Sequence, residues 1–180
     1  KAMDILNMDK ETEKFYKVFC KKTQSKNGMW EQRFYTDCKL APSWGYQVDE
    51  TASVIYGVYE HYLATKNEKF LKETLPMCEK AISFLKHYVK DWLNLEPEEI
   101  ANKDKVKEEM EEQLKKHGKE RKLHISYDLW EMCEGVHLYS LSSIYSAFEC
   151  ILTIYKVLGK NVSDFENNRL KEEKVQKNEK

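Results

Sequence analysis

The chain has 180 residues, 41% of them hydrophobic and 34% charged, a length that sustains one self-supporting core and a composition of soluble globular domains. Thirty Lys and Arg stand against 31 Asp and Glu, a net charge of -1, so no global field draws the chain to nucleic acid or anionic lipid. No apolar run approaches the roughly 20 residues that span a bilayer, and neither nucleic acid nor a membrane is an expected partner.

Residues Lys1 to Lys10 lack the continuous apolar stretch of a signal peptide, and position 1 is not Met. A helical apolar pattern starts almost at once, so the chain reads as an internal stretch of a longer polypeptide. From about Lys10 to Ser25, Phe15, Val18 and Phe19 recur at helical spacing and predict an amphipathic helix that Asn27-Gly28 ends. Met29 to Tyr46 mixes aromatics with breakers (Trp30, Phe34, Tyr35, Pro42, Trp44, Gly45) and predicts a long irregular loop, a kind of segment that often carries binding groups.

A second helix is expected over about Glu50 to Thr65, with Val54, Ile55, Tyr56, Val58, Tyr59, Tyr62 and Leu63 on several faces, hence buried on several sides. A third, Glu68 to Trp92, shows one seam of Leu71, Leu75, Cys78, Ile82, Leu85, Val89 and Trp92 between lysines and glutamates. Pro97 breaks it. Over 98–122, 16 of 25 residues are charged and only Val106, Met110 and Leu114 form a stripe, the pattern of an exposed helix or insertion. A last helix, Tyr139 to Leu158, carries a stripe of Leu141, Ile144, Phe148, Ile151, Tyr155 and Leu158 and stops at Gly159; residues 160–180 form a polar tail. No strand-like alternation appears, and the expected class is all-α, built from helical hairpins with long loops.

Cys20, Cys38, Cys78, Cys133 and Cys150 are scattered, odd in number and without a CxxC pair; they read as free thiols, which leans toward a cytoplasmic setting. His61 and His137 have no second His or Cys at ligand spacing and read as helix-face or core imidazoles, so no metal or other cofactor is expected. Ser140, Ser142, Ser143 and Ser146 suit close helix approach and have no triad partners.

Two segments between helices concentrate polar and aromatic residues: Ser43-Trp44-Gly45-Tyr46-Gln47-Val48-Asp49-Glu50 and Ser126-Tyr127-Asp128-Leu129-Trp130-Glu131-Met132-Cys133. Indole faces cover pyranose faces, while carboxylates and amides such as those of Gln47 and Asp49 take sugar hydroxyls. Glycoside hydrolysis needs a carboxylic acid to protonate the leaving oxygen, and Glu131, beside Leu129 and Trp130, fits that role if those neighbours desolvate it. Residue by residue, other roles fit too: Asp49 and Glu50 as helix caps, Asp128 as an N-cap, Trp130 as a core anchor, Glu131 as a solvated first-turn residue.

Met29-Trp30-Glu31-Gln32-Arg33-Phe34, Gly45 to Ala52, and above all Ser126 to Glu131 followed by Gly135-Val136-His137-Leu138-Tyr139 resemble glycoside hydrolase family 15, the glucoamylases and glucodextranases. The resemblance spans about Met29 to Leu158 and makes residues 1–159 the central part of such a catalytic domain, with the charged insertion inside it. It implies an (α/α)6 toroid of the six-hairpin type, with Glu50–Thr65 and Tyr139–Leu158 as inner helices. It further implies inverting, exo-acting release of glucose from the non-reducing ends of α-glucans or maltooligosaccharides, with Glu131 as general acid and Trp44, Asp128 and Trp130 lining the pocket. Inverting enzymes hold their carboxyls about 6.5–9.5 Å apart.

The chain departs from the family at Met132, where members commonly carry a second Glu. The Arg-Asp clamp and the general base have no counterpart in these residues, so the chain is expected to hold about half a toroid, to be inactive alone, and to self-associate through uncovered apolar faces. The alternative is a non-catalytic glucan-binding or regulatory module, as in the glucoamylase-like subunits of phosphorylase kinase; a helical interaction module without a sugar site is the third reading.

Overall fold

The computed structural model describes residues 1–42, 46–93, 126–127, 129–130, 134–135, 137–161 and 163. Among them the fold is all-α apart from one pair of two-residue strands. The expected helix at 98–122, Pro97 and all of the tail beyond residue 163 lie outside the described residues.

The first helical region runs as α1 (Ala2–Ile5), α2 (Asp9–Lys14), a π-helical stretch (Phe15–Cys20) and α3 (Lys21–Thr23). Asp9 and Glu11 suit the positive end of the α2 dipole. Wider π turns are local insertions in a helix, and this one stacks Phe15 on Phe19 while sending Tyr16 edge-on to Phe70. The helix ends where Gln24 turns extended, and Gly28 follows with φ +98°. A Cβ at Gly28 would collide with the backbone carbonyl of Lys80, so glycine is required by both the dihedral and the close approach of the next helical layer.

The loop from Met29 is anchored at once. Trp30 is buried; its indole N–H donates to the Cys20 carbonyl at 2.9 Å, and its backbone N–H donates to Thr51 Oγ1 at 3.1 Å. Further on, Phe34 and Leu40 face each other across a tight turn in which Cys38 takes φ +69°.

Helices α4 (Val48–Thr65) and α5 (Glu68–Leu93) form a helical hairpin. Lys66 ends α4 in the left-handed region, and Asn67 caps α5 by accepting from the Phe70 N–H at 3.1 Å. Of the expected α5 seam, Leu71, Leu75, Cys78, Ile82 and Leu85 are buried and Val89 is half-buried against the same core, while the Trp92 side chain is not among those described. The seam packs on α4 and on α6 (Leu138–Val157), which also pack on each other, so three helices share one core. Tyr155 of α6 donates to Glu79 Oε1 of α5 at 2.6 Å, and Gly159 closes α6 with φ +62°.

Two expectations change. Tyr56 and Leu63 of α4 are 42% and 39% exposed, so that helix is not buried on all its apolar sides. In α6, Leu141 of the expected stripe is 40% exposed; the buried seam is Ser140, Ile144, Ala147, Cys150, Ile151, Ile154 and Tyr155. Close packing on α4 selected a face with small residues, Ser140, Ala147 and Cys150, over the face with the bulkiest ones.

His61 is fully buried, as the core-imidazole reading has it. Its Nδ1 lies 2.6 Å from Asp4 Oδ1 and its ring meets Phe70 edge-on, which ties α1 to α4. Cys20, Cys38, Cys78 and Cys150 are free thiols; Cys133 lies outside the described residues. No helix among the described residues is long and apolar enough to cross a membrane.

Candidate functional site

The two segments singled out by their composition meet. Strand β1 (Ser126–Tyr127) pairs antiparallel with β2 (Glu134–Gly135), Ser126 opposite Gly135 and Tyr127 opposite Glu134. Too short to leave an alternating pattern, this ribbon is laid against the residues that open α4: the Tyr127 N–H donates to the Tyr46 carbonyl at 2.9 Å, and the Val48 N–H donates to Ser126 Oγ at 3.0 Å.

The second bond has a physical cause. The first N–H groups of a helix have no partner inside it, and Gln47, the residue before α4, provides no side-chain cap. Ser126, fully buried and 78 residues away in sequence, supplies the missing acceptor. Because β2 leads into α6 within three residues, the starts of α4 and α6 lie at the same end of the helical layer.

Tyr46 fixes this junction to the core. Its ring packs against Phe84 and Tyr88 of α5, its hydroxyl lies 3.2 Å from Thr51 Oγ1, and burial pushes its phenol well above the ordinary tyrosine range. The loop from Met29 arrives on the same spot through Trp30, as above, and through Gln32, whose Nε2 donates to Gln47 Oε1 at 2.7 Å.

Of the six candidate residues, three are described. Gln47 and Asp49 are buried, 4% and 5% exposed. Asp49 is in the first turn of α4, where it complements the helix dipole without a side-chain cap bond. Burial raises its carboxyl above its ordinary value, its own backbone N–H offsets part of that rise, and Oδ1 has no hydrogen-bond partner.

Trp130 is the opposite case: at the turn between β1 and β2 it is 78% exposed, with Leu129 at 51%. It is therefore not a core anchor, and neither side chain is packed away to dry its surroundings. An uncovered indole is what stacking on a sugar face requires. Trp44, Asp128 and Glu131 lie outside the described residues, as does Met132.

Reading by composition missed Gln32, Tyr46 and Ser126, although all three fall inside the quoted segments; they look like ordinary loop residues until the fold places them. Beside the junction, α4 and α6 enclose an open cleft of about 370 Å³ lined by Ser53, Tyr56, Tyr139, Ser142, Ser143 and Ser146. Among the described residues, no three His, Cys, Asp or Glu side chains are grouped to hold a metal ion.

The chain is similar to an uncharacterized glycosyl hydrolase of Methanocaldococcus jannaschii, with 23% identity over 159 residues that cover 88% of this chain and 20% of that protein. It thus spans about a fifth of that relative's length. The likeness is to a glycosyl hydrolase in general and does not single out the glucoamylases. No family model matches the chain, and no solved structure matches it. The aligned stretch leaves at most 21 of the 180 residues outside it, so it spans both segments joined at the start of α4.

Proposed function

We propose that this chain is part of a carbohydrate-hydrolysing enzyme and carries the acid side of its active site. The observation that supports this most is the direct bonding of the two sugar-site segments, Tyr127 to Tyr46 and Ser126 to Val48, at one end of the helical layer. The resemblance to a protein named a glycosyl hydrolase points the same way.

In the finer reading the parent is a glucoamylase-type enzyme with an (α/α)6 ring, α4 and α6 being inner helices. It releases glucose from the non-reducing ends of α-glucans or maltooligosaccharides with inversion. Glu131 protonates the glycosidic oxygen, the exposed Trp130 covers a sugar face, and Trp44 and Asp128 complete the pocket. The carboxylate that activates water comes from elsewhere in the parent polypeptide.

The test is glucose release from maltose and soluble starch by the parent enzyme and its Glu131→Gln variant. Loss of the general acid lowers kcat by roughly 100-fold or more. Undiminished turnover in the variant removes Glu131 from the mechanism, and a parent that binds maltose without cleaving it makes the chain part of a glucan-binding module.

A further inference from the structure

Of the 20 residues of α6 only Glu149 and Lys156 are charged, against nine of 26 in α5. A helix apolar on nearly every side belongs inside a protein, whereas one with a charged stripe belongs on its outside. Yet Leu138, Tyr139, Leu141 and Tyr145 of α6 stand in solvent, and α6 is not apolar enough to cross a membrane.

The uncovered side has the relief of a helix seat. Helix α5 packs on α4 and α6 from one side. The cleft of about 370 Å³ between α4 and α6 takes no residue from α5 and opens away from it; Ser53 of α4 and Ser142, Ser143 and Ser146 of α6 line it with Tyr56 and Tyr139. Helix axes approach to about 8–10 Å according to the side chains between them, and residues as small as serine admit the closest approach. The hydroxyls of Ser142 and Ser143 are turned back on their own helix, donating to the carbonyls of Leu138 and Tyr139 at 2.8 and 3.0 Å, so they need no polar partner in the cleft. The Tyr56 hydroxyl is bonded to Glu60, which is itself paired with Lys1 at 2.9 Å. No ionised side chain lines the cleft.

We propose that this cleft is the seat of a further helix of the parent polypeptide, one that lays a ridge of leucine, isoleucine or methionine side chains between α4 and α6 and keeps its charges on the far side. This rests on the reading of the chain as part of a larger enzyme. The relative from Methanocaldococcus jannaschii leaves ample length for such a helix: the aligned stretch covers 20% of that protein, so 80% of it lies outside.

Thiol labelling by a maleimide tests the seat, with Ser142→Cys and, independently, Ser146→Cys made in the 180-residue chain and in the parent, each at micromolar concentration and read at the residue by mass spectrometry. Serine to cysteine exchanges one atom, so the fold is kept; Lys72→Cys, on the solvent side of α5, is the control. In the chain alone all three thiols are expected to react as open ones. In the parent the two cleft thiols are expected to react about 10-fold or more slowly, because a thiol under a packed helix reacts only when the helix lifts, while Lys72→Cys keeps its rate. Equal rates in the chain and the parent overturn the proposal, and so does equal slowing of Lys72→Cys. Protection in the chain alone that grows with its concentration makes a second copy the occupant, and protection of the parent that appears only with maltose makes the cleft a sugar site; either result also overturns it. Labelling reads neither sugar turnover nor the role of Glu131, so an open cleft leaves the carbohydrate reading standing, and a parent inactive on maltose leaves the seat standing.

Discussion

Ser126→Ala tests the junction at its most specific bond. Ser126 is fully buried, and its Oγ accepts the Val48 N–H at 3.0 Å while lying 3.0 Å from the Tyr127 carbonyl. Alanine keeps the volume close and leaves the N–H without an acceptor, at the position where a helix has no internal substitute. An unsatisfied buried donor costs about 1–3 kcal/mol, the same order as the loss of a helix N-cap, about 0.5–2 kcal/mol. For a domain of this size, that lowers the midpoint of thermal unfolding by about 2–4 °C per kcal/mol. The control is Ser142→Ala on α6, an exposed serine whose hydroxyl bonds only the Leu138 carbonyl one turn back, at 2.8 Å; it is expected to stay within about 0.5 kcal/mol of the unaltered chain. Chemical denaturation gives both values, and hydrogen exchange at the Val48 amide locates the effect. Equal stabilities for the two variants, with Val48 still protected, would refute the bond and the joining of the segments through it.

Gly57→Ala places a methyl group against the hydroxyl of Tyr16; overpacking of this kind costs about 1–3 kcal/mol, and Tyr16→Phe in the same chain recovers part of the denaturation midpoint if the contact is the cause. The two buried aspartates have opposite pH signatures. Burial alone would raise the Asp4 carboxyl, but its hydrogen bonds, led by that from His61, outweigh burial and hold it below 3.8; its stabilisation is present above pH 3.8 and lost as pH falls through the depressed value, so the deficit of Asp4→Asn shrinks on acidification. Asp49 is held above 3.8, so its ionised form is the costly one: Asp49→Asn gains stability at neutral pH, and the gain fades as pH falls through the raised value, which urea titrations across pH 3–8 resolve. Trp130→Ala changes stability by less than about 0.5 kcal/mol, as expected for a side chain mostly in solvent, yet weakens maltose binding in calorimetry. Leu138, Tyr139, Leu141 and Tyr145 leave an apolar face on α6, so sedimentation is expected to show association at high concentration, and a monodisperse monomer counts against it.

The parts of the fold legible in the sequence are those written locally. The α5 seam could be read because leucines and isoleucines alternate there with lysines and glutamates, so only one face is able to pack. On α6 the same pattern points to Leu141, because a helix apolar on nearly every side does not say which side its neighbour will choose; contact with α4 settled that in favour of smaller residues. The π-helical stretch leaves no mark in residue type, and Asn27-Gly28 signals a turn without revealing that the Lys80 backbone presses on it. At the site, residue chemistry located the segments around Gln47 and Trp130. It could not supply depth, and depth separates a buried Asp49 from a solvent-facing Trp130.

That separation also divides the second segment by task. Ser126 and Tyr127 are spent on anchoring, one capping α4 and the other bonding Tyr46 in the segment that precedes it, while Leu129 and Trp130, two and three residues later, stand in solvent at the tip of the turn. A rigid base with an exposed tip suits a residue that must meet a ligand at a fixed height above a helix end. It also makes the two halves separable by mutation. A change at Ser126 should reach ligand binding only through stability and position, whereas a change at Trp130 should alter binding and leave stability nearly untouched. If both kinds of change moved stability and binding in proportion, the ribbon would be a structural bracket and the sugar site would have to lie elsewhere on the molecule.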